Sequence, residues 1–344
     1  MKLWTMLLAL TLAACSKQVP PGVTELVYAT PYAPSHPFSR ADQTWMDFIA
    51  KRSDGTLRIV PSWSGALISS ENSMIELRHV VADIGLITPI YIRGGAHLIR
   101  LQSGFYSGTT TFADQVTLYR CLAASSAQFD RELAGLKVLA VQGGSLPGIV
   151  STSKPILSLE DLKGMRVRGP TELLGMLKEL GADPVNMPMG DVYSALAKGV
   201  LDGVVAPLDT FRSLHFAEVA HHYIGIRIPR GAYPARAMSV TRWEHLSASH
   251  RQILEEGIAV WEQALAEQTY QAQSDGEKVA HAEGVVFTDF PQDQQQRFDA
   301  LYLDFAARNA ASLADYGIDG SAVFAVSRAS VGTDGTVSCS GGSH

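Results

Sequence analysis

The run from Leu246 to Glu283 contains no proline, and Gly257 and Gly276 are its only glycines. Ile253, Ile258, Trp261, Leu265 and Val279 recur in it at helical spacing, and Ser247 is placed to cap its start. A helix of that length spans about 55 Å, more than one small lobe needs. The chain is therefore predicted to fold as two lobes with one long helix running along both. The rest of the sequence alternates between short apolar runs and amphipathic stretches. Strands are predicted at 26–30, 57–61, 82–87, 136–141, 165–168, 184–188 and 201–207, with helices over 36–53, 71–81, 172–180, 190–198, 208–215 and 291–313. Two further strands, 224–228 and 237–241, are placed between the lobes. This order implies an α/β fold with largely parallel sheets. Ligands of such sheets bind beyond the carboxyl ends of strands, which brings residues 30–34, including Tyr32, and 88–91 near any site.

The start of the chain reads as an export signal. Lys2 is followed by the apolar stretch Leu3–Leu12 and then by Ala13-Ala14-Cys15. The apolar stretch is too short for a permanent membrane span. Its Leu-Ala-Ala-Cys end resembles a bacterial lipobox, which implies cleavage before Cys15 and lipidation of that thiol. Residues 16–23 then form a tether, and the mature protein is expected in the periplasm, lipid-anchored at one end. Of three cysteines, Cys121 and Cys339 remain. In an oxidising compartment they either pair, pinning the Gly/Ser-rich end to the body, or stay free. A composition of 46% hydrophobic and 18% charged residues supports a folded core. Lys+Arg 28 against Asp+Glu 34 gives a net charge of −6, which argues against a nucleic-acid partner.

The most informative segment is Leu157–Pro207. It carries Lys163-Gly164, Arg168 at a strand end, Gly181-Ala182-Asp183-Pro184, Met187-Pro188, Val192-Tyr193-Ser194-Ala195-Leu196 and Gly199-Val200-Leu201-Asp202-Gly203. With His36-Pro37 after the first strand and the Gly65–Glu71 motif, this order resembles the substrate-binding proteins of tripartite ATP-independent periplasmic (TRAP) transporters, the DctP-like family. The likeness covers about residues 24–320. It implies a two-lobed periplasmic binding protein with a hinge, a small organic acid as ligand, and a small and a large membrane subunit as partners. No cofactor is implied, and a monomer is expected. The expected division is residues 24–145 with 233–271 as lobe 1, 146–232 with 272–320 as lobe 2, and 321–344 as a C-terminal tail.

Arg168 ends an apolar strand just before Gly169-Pro170. A guanidinium there can grip a ligand carboxylate through two parallel charge-assisted hydrogen bonds, or make a structural salt bridge at the strand end. The resemblance implies the ligand role, and Arg166 is expected to be a structural or surface charge. Three positions depart from the family. Ala206 stands where many members have an asparagine, Gly148 where some have a second arginine, and the neighbourhood of Thr88 where some have a glutamate. With Met189, Phe105, Tyr106, Phe211 and Tyr233 adding apolar or aromatic surface, these departures predict a less polar pocket. The expected ligand is an aromatic monocarboxylate such as benzoate or a hydroxybenzoate. Should other loops restore the polar groups, a C4-dicarboxylate or a sugar acid is the alternative. A receptor for a sensor kinase and an exported enzyme are further alternatives, the last without a nucleophile–base set. Gly143–Gly148 reads as a hinge rather than a hydrolase elbow, because Pro147 follows the serine and no helix begins there. Arg230–Ala235 is the second expected hinge. His215, His221 and His222 lack metal-ligand spacing.

Overall fold

The computed structural model describes residues 20–92 and 94–340; the predicted signal, Cys15 and the start of the tether lie outside them. Among the described residues, eleven strands form two sheets. They are β1 (Thr24–Ala29), β2 (Leu57–Ser62), β3 (Ile84–Leu86), β4 (Leu136–Gln142), β5 (Gly148–Ser151), β6 (Arg166–Arg168), β7 (Asp183–Val185), β8 (Gly203–Ala206), β9 (His222–Ile224), β10 (Tyr233–Ser239) and β11 (Val286–Thr288). The first sheet has the order β2-β1-β3-β10-β4 and the second β11-β9-β5-β8-β6-β7. Pairings among β1, β2 and β3 are parallel, whereas β10 runs antiparallel to both its neighbours. In the second sheet β5 is antiparallel to β8 and β9. Each sheet has its own apolar core, with cores on two faces of the second.

The chain passes from lobe 1 to lobe 2 through residues 143–147 and returns through residues 225–232. The strand expected at 224–228 ends at Ile224 in the structure. Ile224, Ile226 and Ile228 still alternate inward, but beyond Ile224 the ladder gives way to single bonds, Gly225 N–H to Thr288 O and Ile228 N–H to Pro147 O. β10 begins four residues earlier than predicted. Pro234 disguises it, since proline cannot donate to a central ladder; the register shift beside it accommodates the missing N–H.

The long helix is Ala248–Ala282, with the Ser247 hydroxyl accepting from His250 N–H. Its two glycines mark its two close approaches. A Cβ on Gly257 would lie 2.7 Å from Trp45 Nε1 in lobe 1, and one on Gly276 would lie 2.1 Å from Leu208 O in lobe 2. Trp261 stacks on Trp45 with ring centroids 3.9 Å apart. A second helix, Gln292–Ser312, also joins the lobes. Phe298 and Tyr302 belong to a lobe 2 core, while Ala306 and Ala310 belong to the lobe 1 core. The chain thus re-enters lobe 1 before residue 320, earlier than the expected boundary.

Residues 321–330 are not a tail. Helix Gly320–Ser330 packs on helix Phe112–Ser125, with Val323 and Ser327 buried, because Val323 and Phe324 supply an apolar face. Ser327 Oγ donates to Phe105 O, and Arg328 Nη1 donates to Ser107 O at 2.6 Å. Cys121 and Cys339 are joined as a disulfide, Cα–Cα 5.3 Å, which ties the chain end to that helix pair. No described helix is long and apolar enough to cross a membrane.

A polar network runs through the lobe 1 core. Asp42 Oδ1 accepts from Arg236 Nε and Trp261 Nε1, both at 2.8 Å, and Asp42 Oδ2 accepts from Tyr28 OH at 2.5 Å. Arg236 Nη1 donates to Gln142 Oε1 at 2.5 Å, and Gln142 Nε2 donates to Tyr233 OH at 3.3 Å. Arg236 and Asp42 are fully buried. The network joins β1, β4, β10 and two helices, and it ends on Tyr233, a wall residue of the cleft.

Candidate functional site

A cavity of about 110 Å³ lies between the lobes. Lobe 1 contributes Tyr32, His36, Phe38 and Tyr91 to its wall, and lobe 2 contributes Arg168, Glu172, Met189 and Asp209. Arg230 and Tyr233 come from the returning connection and the start of β10, and Thr269 from the long helix.

Arg168 is the last residue of β6, which lies between β7 and β8 in its sheet. Its side chain is 2% exposed. Nε donates to Met187 O at 3.1 Å and Nη2 to Tyr91 OH at 2.6 Å. The Tyr91 ring lies 5.6 Å from its Cζ. Arg168 has no carboxylate partner among the described residues. The bond to Tyr91 crosses the cleft, as does that from Thr171 Oγ1 to Ile90 O at 2.5 Å. Arg166, two residues back, faces solvent and pairs with Asp202 at 2.7 Å.

The opposite wall is aromatic. Tyr32 stacks on His36 with centroids 4.0 Å apart, and Phe38 meets Tyr32 edge-on at 5.5 Å. His36 also caps helix Pro37–Arg52, its Nδ1 accepting from Phe38 N–H at 3.2 Å. Burial, with Arg236 and Arg40 nearby, lowers its pKa to about 3. The neutral ring with an accepting Nδ1 carries its proton on Nε2. Burial likewise holds the Tyr32 phenol well above its ordinary range.

Four of the predicted site residues, Tyr32, Arg168, Met189 and Tyr233, line this cavity together. The other four do not. Ala206 and Phe211 are buried in a lobe 2 core. Thr88 donates its hydroxyl to Ser70 O behind the wall, because the loop before helix Ser73–Arg78 folds over it. Gly148 opens β5 against β9, where a Cβ would lie 2.3 Å from Ile224 O; packing, and not a lost ligand contact, explains the glycine. Phe105 and Tyr106 are also core residues. His215, His221 and His222 form no group of metal-binding size among the described residues.

The expectation of a pocket poor in polar groups is corrected by three charged residues. Arg230 lines the cavity, and among the described residues its side chain bonds Ser145 O alone, through Nη1 at 3.3 Å. Glu172 and Asp209 line it too, at 8% and 9% exposed. Burial raises the Glu172 pKa to about 7, with local hydrogen bonds and then Arg168 and Arg230 opposing. Burial raises that of Asp209 to about 6, with Arg230 and the Ser213 hydroxyl opposing. Sequence reasoning misses these three for identifiable reasons. Glu172 looks like an ordinary acidic residue at a helix start. Asp209 sits in a short turn after a strand. Arg230 is flagged only by its place between Pro229 and Gly231 in an otherwise apolar connection.

Comparison with known proteins agrees with this architecture. Residues 28–308 match the family described as bacterial extracellular solute-binding protein, family 7. A solute-binding protein of Albidiferax ferrireducens strain T118 is 26% identical over 177 residues, 50% of this chain and 51% of that protein. The chain thus aligns with about half the length of that relative. A TRAP solute-binding protein of Rhodoferax ferrireducens T118, solved with copurified benzoate, superposes with a TM-score of 0.80 at 23% identity, over 89% of this chain and 97% of that one. One from Sulfitobacter sp. NAS-14.1, solved with β-D-galacturonate, gives 0.73 at 17% identity, over 88% and 99%.

Proposed function

The chain belongs to family 7 of the bacterial extracellular solute-binding proteins, and on that premise we propose that it carries an aromatic monocarboxylate whose carboxylate is held by Arg168. The observation that carries the reading is a guanidinium 2% exposed, facing a cavity, with no acidic partner among the described residues. A buried guanidinium with no carboxylate in contact is costly, and a ligand carboxylate reduces that cost through paired hydrogen bonds. Tyr32, Phe38, Tyr91 and Tyr233 supply flat apolar surface for a ring. The benzoate found in the Rhodoferax protein is consistent with this choice.

A second reading, a C4-dicarboxylate or a sugar acid, is favoured by Arg230, Glu172 and Asp209, which can bond additional polar groups of a ligand. The galacturonate-bound neighbour is consistent with it. In both readings the protein acts in the periplasm as a monomer, anchored through a lipid on Cys15. It delivers its ligand to the small and large membrane subunits of a TRAP transporter, with no catalytic step. The segments 143–147 and 225–232 serve as hinges on which the lobes close over the ligand.

Thermal unfolding of the chain from Ser16 onward, against aromatic monoacids, C4-dicarboxylates, sugar acids and aliphatic acids, tests these readings. A ligand at a thousand times its Kd stabilises by about 4 kcal/mol, which gives a rise of several degrees in Tm. A rise with aromatic monoacids alone supports the first reading. A rise with dicarboxylates or sugar acids alone moves the assignment to the second. No rise with any acid overturns both.

A further inference from the structure

Glu172 is an acid of the cleft that the protein satisfies only in part, the Ser103 hydroxyl serving it on one side. It lines the cavity, is 8% exposed, and its Oε2 is buried without a hydrogen-bond partner. No Lys, Arg or His nitrogen among the described residues forms an ion pair with it. A buried accepting oxygen left empty costs about 1–3 kcal/mol, and more when charged. The rest of the cavity is rich in donors, namely the Arg168 and Arg230 guanidinium groups, the His36 Nε2–H and the Thr269 hydroxyl. Thr269 Oγ1 is itself buried without a partner.

We infer that Glu172 makes the site selective for a carboxylic acid that bears a second, uncharged hydrogen-bond donor, a ring hydroxyl or ring N–H, over the same acid without it. The inference rests on the carboxylate reading above and names the ligand class within it. Arg168 takes the acid group, and Glu172 follows it by four residues in sequence on the same wall. An ionised carboxylate only accepts, so the group that completes ionised Glu172 is a donor; the protonated acid also donates, so the titrations below are run at pH 8.5, above its raised pKa of about 7. The donor is uncharged because Arg168 and Arg230 both act on Glu172 electrostatically, and a ligand cation would be repelled by the same two groups. A site built to bond a hydroxyl rejects the analogue lacking it, because the buried acceptor is then left unpaired.

The alternative within the protein is Tyr302. Its hydroxyl is also buried without a partner, and it lies near Glu172, both approaching the position of a Cβ on Gly104. If Tyr302 bonds Glu172 in solution, no ligand donor is needed.

The test is calorimetric titration of the chain from Ser16 onward with benzoate, 3-hydroxybenzoate, 4-hydroxybenzoate and the two methoxybenzoates that accept but cannot donate. Wild type, Glu172→Gln, Glu172→Leu and Tyr302→Phe are compared, with thermal unfolding confirming that each is folded. At least one hydroxybenzoate is expected to bind wild type tenfold or more tighter than benzoate and than its methoxy counterpart. That margin shrinks below about twofold in Glu172→Leu, is partly kept in Glu172→Gln, whose amide oxygen still accepts, and is unchanged in Tyr302→Phe. Acids that bind without a hydroxyl margin, or with one that survives Glu172→Leu, overturn the inference and leave the carboxylate reading intact. Absence of binding by every acid overturns the carboxylate reading, and the inference with it.

Discussion

The Tyr91 hydroxyl of lobe 1 accepts a hydrogen bond from Arg168 Nη2 of lobe 2 at 2.6 Å. One guanidinium therefore does two things: it faces the cavity and it latches the lobes. Arg168→Ala is expected to weaken binding of the cognate acid by about 2–5 kcal/mol, the range for truncating one partner of a buried charge pair. Arg168→Lys should recover only part of this, since an ammonium cannot make two parallel bonds to a carboxylate. Titration calorimetry with the best acid from the thermal panel measures both. Unchanged affinity in Arg168→Ala removes Arg168 from the site.

Tyr91→Phe keeps the ring beside Arg168 and removes the latch. The freed guanidinium nitrogen loses its partner in the closed state only, so affinity should drop by about 1–3 kcal/mol. X-ray scattering of the unliganded variant should show a larger radius of gyration than wild type, because the open form gains population. Identical scattering and affinity would mean that the latch contributes nothing to closure.

What can be read from the sequence follows from how local each signal is. Arg168 is legible through the family resemblance, because an arginine at a strand end before Gly-Pro reads by itself as readily as a structural salt bridge. The long helix is legible because no proline interrupts Leu246–Glu283 and Ile253, Ile258, Trp261 and Leu265 recur at helical spacing. Gly257 and Gly276 carry a tertiary meaning that only appears once Trp45 and Leu208 lie against them. Ala206, Gly148 and Thr88 mislead because a missing polar residue at one position says nothing about polar residues arriving from another loop. Arg230 arrives from the connection between β9 and β10, far in sequence from Arg168. The strand β10 is hidden by Pro234, whose fit depends on a register shift that sequence pattern cannot display.

The Asp42–Arg236 pair should dominate the stability of lobe 1. Its partners Tyr28, Trp261 and Gln142 come from separate elements, so losing the carboxylate leaves several donors unpaired at once. Asp42→Ala is expected to cost about 3–5 kcal/mol, the range for breaking a buried pair from one side. Urea unfolding at constant pH measures it. A cost below about 1 kcal/mol would show that water replaces the carboxylate and that the network is not needed.

The Cys121–Cys339 disulfide closes a loop with a sequence separation of 218. It holds helix Gly320–Ser330 and the chain end onto lobe 1, away from the cleft. Cys339→Ser, or reduction of the wild type, should lower stability by about 2–4 kcal/mol without changing ligand affinity. The comparison is thermal unfolding with and without reductant, alongside titration with the same acid. A change in affinity would mean that the C-terminal helix communicates with the lobes.

Glu172 gives the unliganded protein a pH signature of definite sign. Its pKa rises on folding to about 7 through burial, so the folded state binds more protons than the unfolded chain between the ordinary glutamate pKa and about 7. Stability from this group is fully present below the ordinary value and is lost as pH rises through about 7. His36 acts in the opposite sense. Its pKa falls to about 3 on folding, so its contribution is present above its ordinary value and is lost as pH falls toward 3. Asp209, raised to about 6, acts as Glu172 does. The net wild-type profile mixes all three, and only a difference isolates Glu172. Glu172→Gln is neutral at every pH and keeps the shape. Relative to wild type it should gain stability as pH rises from 5 to 8, by roughly 2–3 kcal/mol in total. Urea unfolding of both proteins at those two pH values gives the difference directly. A difference that does not change with pH would mean that Glu172 is already paired or solvated in the folded protein, and would remove the unpaired carboxyl from the description of the cleft.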